Sequence, residues 1–251
     1  MAFLRILALA PLLALTFAPP SLGAEEPPAV KLLLPPLAPA PSDGRYLADD
    51  ELRFMIAVEG DQIRLRFLDS DEIFYLTSEP AALGGRVLKY DTGEVALQVA
   101  GWGGLTLYTK DERGGIPAER ADDEVDNFEP ASVTAKDVRA FALKLSQDLE
   151  QAHDFGVGFA MDWDELAQGG DAARALAVDA MRNAAYALDQ LAETPDRDAI
   201  ANRFHLVRVT AAAEPGVKMQ DGVLVISYAP EAGPSARPSS RAISRVLTDA
   251  F

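Results

Sequence analysis

Between Leu52 and Tyr108 the chain never runs far without a break. Glu59-Gly60-Asp61, Asp69-Ser70-Asp71-Glu72, the Pro80 to Gly85 loop, Asp91-Thr92-Gly93 and Gly101-Trp102-Gly103-Gly104 interrupt it at short intervals. Segments this short are strands rather than helices, and turns this tight join antiparallel neighbours. Strands are expected at Leu52 to Val58, Gln62 to Leu68, Ile73 to Thr77, Arg86 to Tyr90, Glu94 to Val99 and Leu105 to Tyr108. Ile63, Leu65 and Phe67 alternate with Arg64 and Arg66, so one face is buried and the other wet. Six such strands curl into a small barrel or a half-open sheet.

The run from Asp122 to Pro130 holds five carboxylates and no base, and it separates these strands from a helical pattern. A helix is expected from Ala135 to His153, with Thr134 as N-cap and Val138, Phe141, Leu145, Leu149 and Ala152 on one stripe. A strand follows, in which Val157, Phe159, Met161 and Trp163 alternate with small or acidic residues. Asp171 then caps an Ala-rich helix, Ala172 to Ala192, whose inner face is Leu176, Ala180, Ala184, Leu188 and Leu191. Thr194-Pro195 starts a short helix to about Asn202. Strands at Phe204 to Ala212, Val217 to Met219 and Val223 to Tyr228 come next, the last two joined by a tight Asp221-Gly222 hairpin. A closing helix begins near Pro238 and turns Ile243, Val246, Leu247 and Ala250 inward. The expected class is α+β: a small antiparallel β meander or barrel, then a helix-on-antiparallel-sheet unit.

The N-terminus reads as a signal peptide, residues 1–24: Arg5, an apolar run from Ile6 to Phe17, then Ser21, Gly23 and Ala24. Cleavage is expected after Gly23 or Ala24, which points to a periplasmic or secreted protein. The run is too short for a membrane span, and no later segment supplies one. Residues 25–43 are a Pro-rich linker, 44–120 the antiparallel β domain, 121–134 an acidic linker and 135–251 the α+β domain. With 39 acids against 23 bases the net charge is -16, and sequence-independent nucleic-acid binding, which needs surplus Lys and Arg, is not expected. The absence of cysteine removes disulfides, thiolate metal sites and Cys nucleophiles.

Three pieces of the chain carry a family likeness: Arg45-Tyr46 with Leu52-Arg53-Phe54, Gly93-Glu94 leading into Gly103-Gly104-Leu105-Thr106-Leu107-Tyr108, and Arg237-Pro238-Ser239-Ser240-Arg241. They resemble a family of exported bacterial proteins classed only as a domain of unknown function. The resemblance implies an exported envelope protein, and it implies no reaction, cofactor or catalytic residue.

Asp91-Thr92-Gly93 is the sharpest chemical word, since aspartic proteases place this triplet where two carboxylates share a proton. A single copy would need a homodimer. A three-residue hairpin with Gly at its left-handed position explains the same letters. Only His153 and His205 are present, and no Gly-x-Ser-x-Gly elbow accompanies them. Asp162, Asp164 and Glu165, or Asp69, Asp71 and Glu72, are oxygen donors but fit no Ca²⁺ loop, and read as solvated turn carboxylates. Arg237, Arg241 and Arg245 recur every four residues along the closing helix, in a C-terminal stretch with five bases and four acids from His205 onward. This stripe is either a solvated face or a docking element, for the Asp122 to Glu129 run or for an anionic envelope partner. The expected function is a non-catalytic binding or interaction module of the cell envelope, with an unknown envelope protein or small ligand as partner and no cofactor or metal. The alternative is an acid-dependent hydrolase of aspartic-protease type using Asp91 in a dimer.

Overall fold

Eight strands follow one another and each pairs antiparallel with the next: β1 (Gly44–Ala48), β2 (Leu52–Glu59), β3 (Gln62–Phe67), β4 (Phe74–Pro80), β5 (Arg86–Lys89), β6 (Val95–Val99), β7 (Leu105–Leu107) and β8 (Ile116–Asp122). β8 returns to pair with β1, so the meander is a closed barrel. These features belong to a computed structural model that describes residues 36–49, 52–122, 128, 132–195 and 204–250. The expected leader, most of the Pro-rich linker, most of the acidic run and the short helix after Pro195 lie outside the described residues.

The barrel interior is filled by every second side chain. Phe54, Ile56, Ile63, Leu65, Phe74, Leu76, Leu88, Leu97 and Leu107 face inward and are buried. Arg64 and Arg66 face out, as the alternation dictates. The two strands that close the barrel are the ones the turn spacing does not announce. β8 reads Ile-Pro-Ala-Glu-Arg-Ala-Asp, with Pro117 unable to donate to a ladder and only Ala118 buried, so it looks like a polar loop. Main-chain pairing on both sides makes it a strand all the same.

The second half supplies α1 (Ala135–His153), β9 (Gly158–Met161), α2 (Trp163–Gln168), α3 (Asp171–Ala192), β10 (Leu206–Ala211), β11 (Gly216–Gln220), β12 (Val223–Tyr228) and α4 (Ser240–Ala250). α1 starts on a capping box: Asp137 N–H donates to Thr134 Oγ1 at 3.2 Å and Thr134 N–H to Asp137 Oδ2 at 2.9 Å. The strand expected to run through Trp163 stops at Met161. Asp162 instead caps α2, accepting from the N–H groups of Asp164 and Glu165, and this is the use made of that acidic cluster.

The sheet order is β11-β12-β10-β9. Its strands were expected to be antiparallel, yet β9, β10 and β12 are parallel and only β11 runs against its neighbour. The reason is connectivity. β9 reaches β10 through α2 and α3, and a crossover through helices brings the chain back in the same direction. β11 occupies the outer edge and its Asp221-Gly222 hairpin, both residues at positive φ, returns β12 to the middle beside β10. Val207, Val209, Leu224 and Ile226 meet the alanine-rich inner face of α3, where Ala177, Ala180, Ala184 and Ala187 are fully buried. Small side chains there let helix and sheet pack closely. Among the described residues no helix is long and apolar enough to cross a membrane.

A third, small cluster lies on the outer wall of the barrel. Met55 and Ala57 point outward from β2 and are covered by Phe128, on whose ring the Arg64 and Arg66 guanidiniums lie at 5.2 and 5.4 Å. Pro35–Phe251 is one compact unit.

Candidate functional site

A dense polar construction lies where α4 begins. A helix leaves its first N–H groups without intrahelical acceptors, and its dipole favours negative charge there. Ser239 is the N-cap, its Oγ accepting from Ala242 N–H at 3.1 Å. Two carboxylates of the barrel end take two more of these donors. Asp91 Oδ2 accepts Ser239 N–H at 2.8 Å, and Asp91 Oδ1 accepts the Ser239 hydroxyl at 2.6 Å. Glu72 Oε1 accepts Ser240 N–H at 2.7 Å, and Glu72 Oε2 accepts the Ser240 hydroxyl at 2.5 Å. Each serine therefore holds one carboxylate at two points.

Asp91-Thr92-Gly93 is a hairpin turn between β5 and β6. Gly93 N–H donates to Tyr90 O, Tyr90 N–H donates to Glu94 O, Gly93 sits at φ +81° and the register shifts by one residue at Lys89. The turn aims Asp91 at Ser239. Glu72 leaves the acidic β3–β4 loop and is only 3% exposed, so it does not act as a solvated turn carboxylate. Burial pushes its carboxyl up to about 7; the Ser240 donors and Arg237 pull it down, and the charge of Asp91 adds to the rise.

The three arginines surround this joint. Arg237, one residue before Pro238, is buried; its Nε donates to Asp179 Oδ2 at 3.2 Å, its Nη2 to Ile73 O at 2.8 Å, and its guanidinium stacks 5.1 Å from the Tyr75 ring centre. Asp179 accepts Arg182 as well, at 2.6 Å. Arg241 lies 4.2 Å over the ring of Tyr90, whose buried phenol is pushed up to about 12 by desolvation. Arg241 and Arg245 both reach Glu94, at 3.2 and 3.3 Å, and Arg245 also donates to Thr92 O at 2.9 Å. Partial burial pushes the Glu94 carboxyl up, but these guanidiniums and the Thr92 hydroxyl hold it below the usual carboxylate range. The stripe thus meets acids of its own chain: Asp179 on α3 and Glu94 on the turn after β5. His153 is elsewhere, at the end of α1, with Nε2 2.6 Å from Asp189 Oδ1.

Beside Arg237 opens a cleft of about 430 Å³ between the outer barrel wall and α3, lined by Ile73, Tyr75, Phe128, Val133, Leu176 and Asp179. Ile73, Tyr75 and Asp179 are the three direct partners of Arg237, so the joint and the cleft share a wall. Clefts of this size with apolar walls and a few fixed polar groups are the usual form of a small-ligand site. Among the described residues no group of three acidic or histidine side chains converges on a position that would hold a metal.

A direct test of the Asp91 assignment is its replacement by Asn. The amide oxygen still accepts Ser239 N–H and the amide nitrogen donates to Ser239 Oγ, and Asn tolerates the same turn backbone. The expected loss is about 1 kcal/mol, or a fall of about 2 to 4 °C in melting temperature, read by calorimetry.

Fold and site together define an α+β protein in which an eight-stranded antiparallel barrel is followed by a helix-covered sheet, the two joined by a carboxylate–serine seam with an apolar cleft beside it. The chain belongs to the family described as "Domain of unknown function (DUF4908)", whose profile matches residues 35–247. No curated protein and no solved structure matches it.

Proposed function

We propose that this protein is a non-catalytic binding module of the cell envelope that seats its ligand in the cleft between the barrel and α3. The observation that carries the reading is the contrast between the cleft and the acids near it. Asp91, Glu72 and Glu94 are each tied to a serine or arginine of α4 and Asp179 to Arg237 and Arg182, whereas the neighbouring cleft is concave and mostly apolar. A hydrolase working through Asp91 in a dimer would first have to release both Ser239 hydrogen bonds. The leader-like N-terminus supports the envelope.

The test uses N-phenyl-1-naphthylamine, a neutral apolar dye. Its fluorescence is expected to rise and saturate at one dye per chain. Ala175→Trp, which fills the cleft from α3, is expected to abolish the rise while leaving the melting temperature within a few degrees. Dye binding unchanged in the Trp variant would place the ligand site elsewhere and overturn the reading.

A further inference from the structure

β9 is the edge of the four-stranded sheet, bonded to β10 on one side and to no strand on the other among the described residues. Gly158 N–H donates to His205 O at 3.0 Å, toward β10. Peptide groups alternate direction along a strand, so those of Gly158 and Ala160 face β10 and those of Phe159 and Met161 face the open edge. Edges left in this state are usually guarded by charge, proline or cover. β11, the opposite edge, is guarded: it carries exposed Lys218 and packs under α4. β9 reads Gly-Phe-Ala-Met, with no charge and no proline.

Alongside that edge runs a groove of about 570 Å³ between α1 and β9, lined by Lys136, Arg139, Ala140, Leu143, Phe159 and Trp163. Leu143 is 61% exposed and is one of the few large apolar side chains left in water. A second hollow, beside Gln147, Glu150 and Val157, continues the groove along α1 and shares Ser146 with it. The stretch of α1 from Lys136 to Gln151 is about 22 Å long, the length of a six- or seven-residue extended peptide. Its ends differ in charge. Lys136, whose ammonium also acts on the neighbouring Asp137, and Arg139, stacked 4.9 Å over the Trp163 ring, mark one end, and Glu150 marks the other.

We infer that this edge and groove form a docking site for an extended peptide segment of a partner protein, added to β9 as a fifth strand. The Phe159 and Met161 peptide groups have no strand partner among the described residues, and an extended chain can pair with both in one ladder, as a small ligand or lipid cannot. Alternate side chains of that strand enter the groove against Leu143 and Trp163, so the segment is apolar at every second residue. The end that meets Lys136 and Arg139 is acidic. This surface is separate from the cleft beside Arg237, and either site can fail without the other.

The experiment titrates the full chain, labelled with ¹⁵N, with the heptapeptide acetyl-Thr-Val-Thr-Val-Thr-Val-Glu carrying a free carboxylate. Saturable shifts are expected at the Phe159 and Met161 amides, whose hydrogen exchange slows at least tenfold on binding. A docked strand uses only one of its edges. Of two peptides N-methylated at alternate residues, one should therefore bind at least tenfold more weakly and the other as before. Leu143→Lys, a change at an exposed helix position, should also weaken binding tenfold or more. Equal binding by both methylated peptides would reduce the contact to apolar adhesion and overturn strand addition. No binding at millimolar peptide, or a concentration-dependent dimer that protects the same amides in free protein, would overturn the peptide as occupant.

Discussion

Arg237→Ala is expected to destabilise the protein by about 3 to 5 kcal/mol, the range seen when one partner of a buried ion pair is removed. Three losses coincide. Asp179 keeps Arg182 but loses its second cation, Ile73 O loses its donor, and the Tyr75 ring loses the guanidinium stacked on it. For a domain of this size each kcal/mol moves the melting temperature by about 2 to 4 °C, so a fall near 10 °C should be read by calorimetry. Arg237→Lys should recover little, because an ammonium cannot serve Asp179, Ile73 O and the ring face together. A fall of less than about 3 °C in the Ala variant would mean that the joint contributes little to holding barrel and helices together.

The second large effect is a pH dependence with an unusual sign. The carboxyl of Glu72 lies near 7 in the folded chain against 4.5 for the unperturbed group. Between those values the folded state keeps a proton that the unfolded state has released, so stability falls as pH rises, by about 1.4 kcal/mol per unit from this group. Its full contribution is present below pH 4.5 and is lost as pH passes 7, for a total of about 3 kcal/mol. Glu72→Gln keeps an acceptor for Ser240 N–H and gives the Ser240 hydroxyl a donor to accept from, without the buried charge. Urea unfolding at pH 4.5, 6 and 8 should therefore show the variant gaining on the parent as pH rises, and more stable than it at pH 8. Parallel curves would show that Ser240, Arg237 and the helix dipole stabilise the carboxylate enough to cancel its burial.

Much of this fold is written locally. β2 to β7 follow from turn residues spaced more closely than any helix allows, α1 from Thr134 and a period of 3.6, and the β11–β12 hairpin from Asp221-Gly222. What escapes the sequence is non-local. β8 has one buried side chain and a proline, and becomes a strand only because β1 and β7 flank it. Strand direction in the sheet depends on where α2 and α3 carry the chain, which periodicity within a strand does not encode. Part of the site is legible: Asp91-Thr92-Gly93 reads as a turn, and Arg237, Arg241 and Arg245 stand out by their four-residue spacing. Their partners are not. Glu94 and Asp179 stand 151 and 58 residues from Arg245 and Arg237. Glu72 is one of three acids in a turn, and nothing local marks it as the one that is buried. The clue available was Ser239-Ser240 behind a proline, since a helix start with two hydroxyls is built to accept anions.

The engagement of Asp91 and Glu72 by α4 is the claim on which the non-catalytic reading rests, and amide hydrogen exchange at Ser239 and Ser240 tests it most directly. N–H groups at a helix start have no intrahelical acceptor and ordinarily exchange fast. Here each donates to a carboxylate of the barrel, Ser239 to Asp91 and Ser240 to Glu72. Both are expected to exchange as slowly as the core amides of α3, opening only with the whole molecule. Fast exchange at these two positions, with α3 still protected, would mean that the carboxylates are free of the seam and open to chemistry.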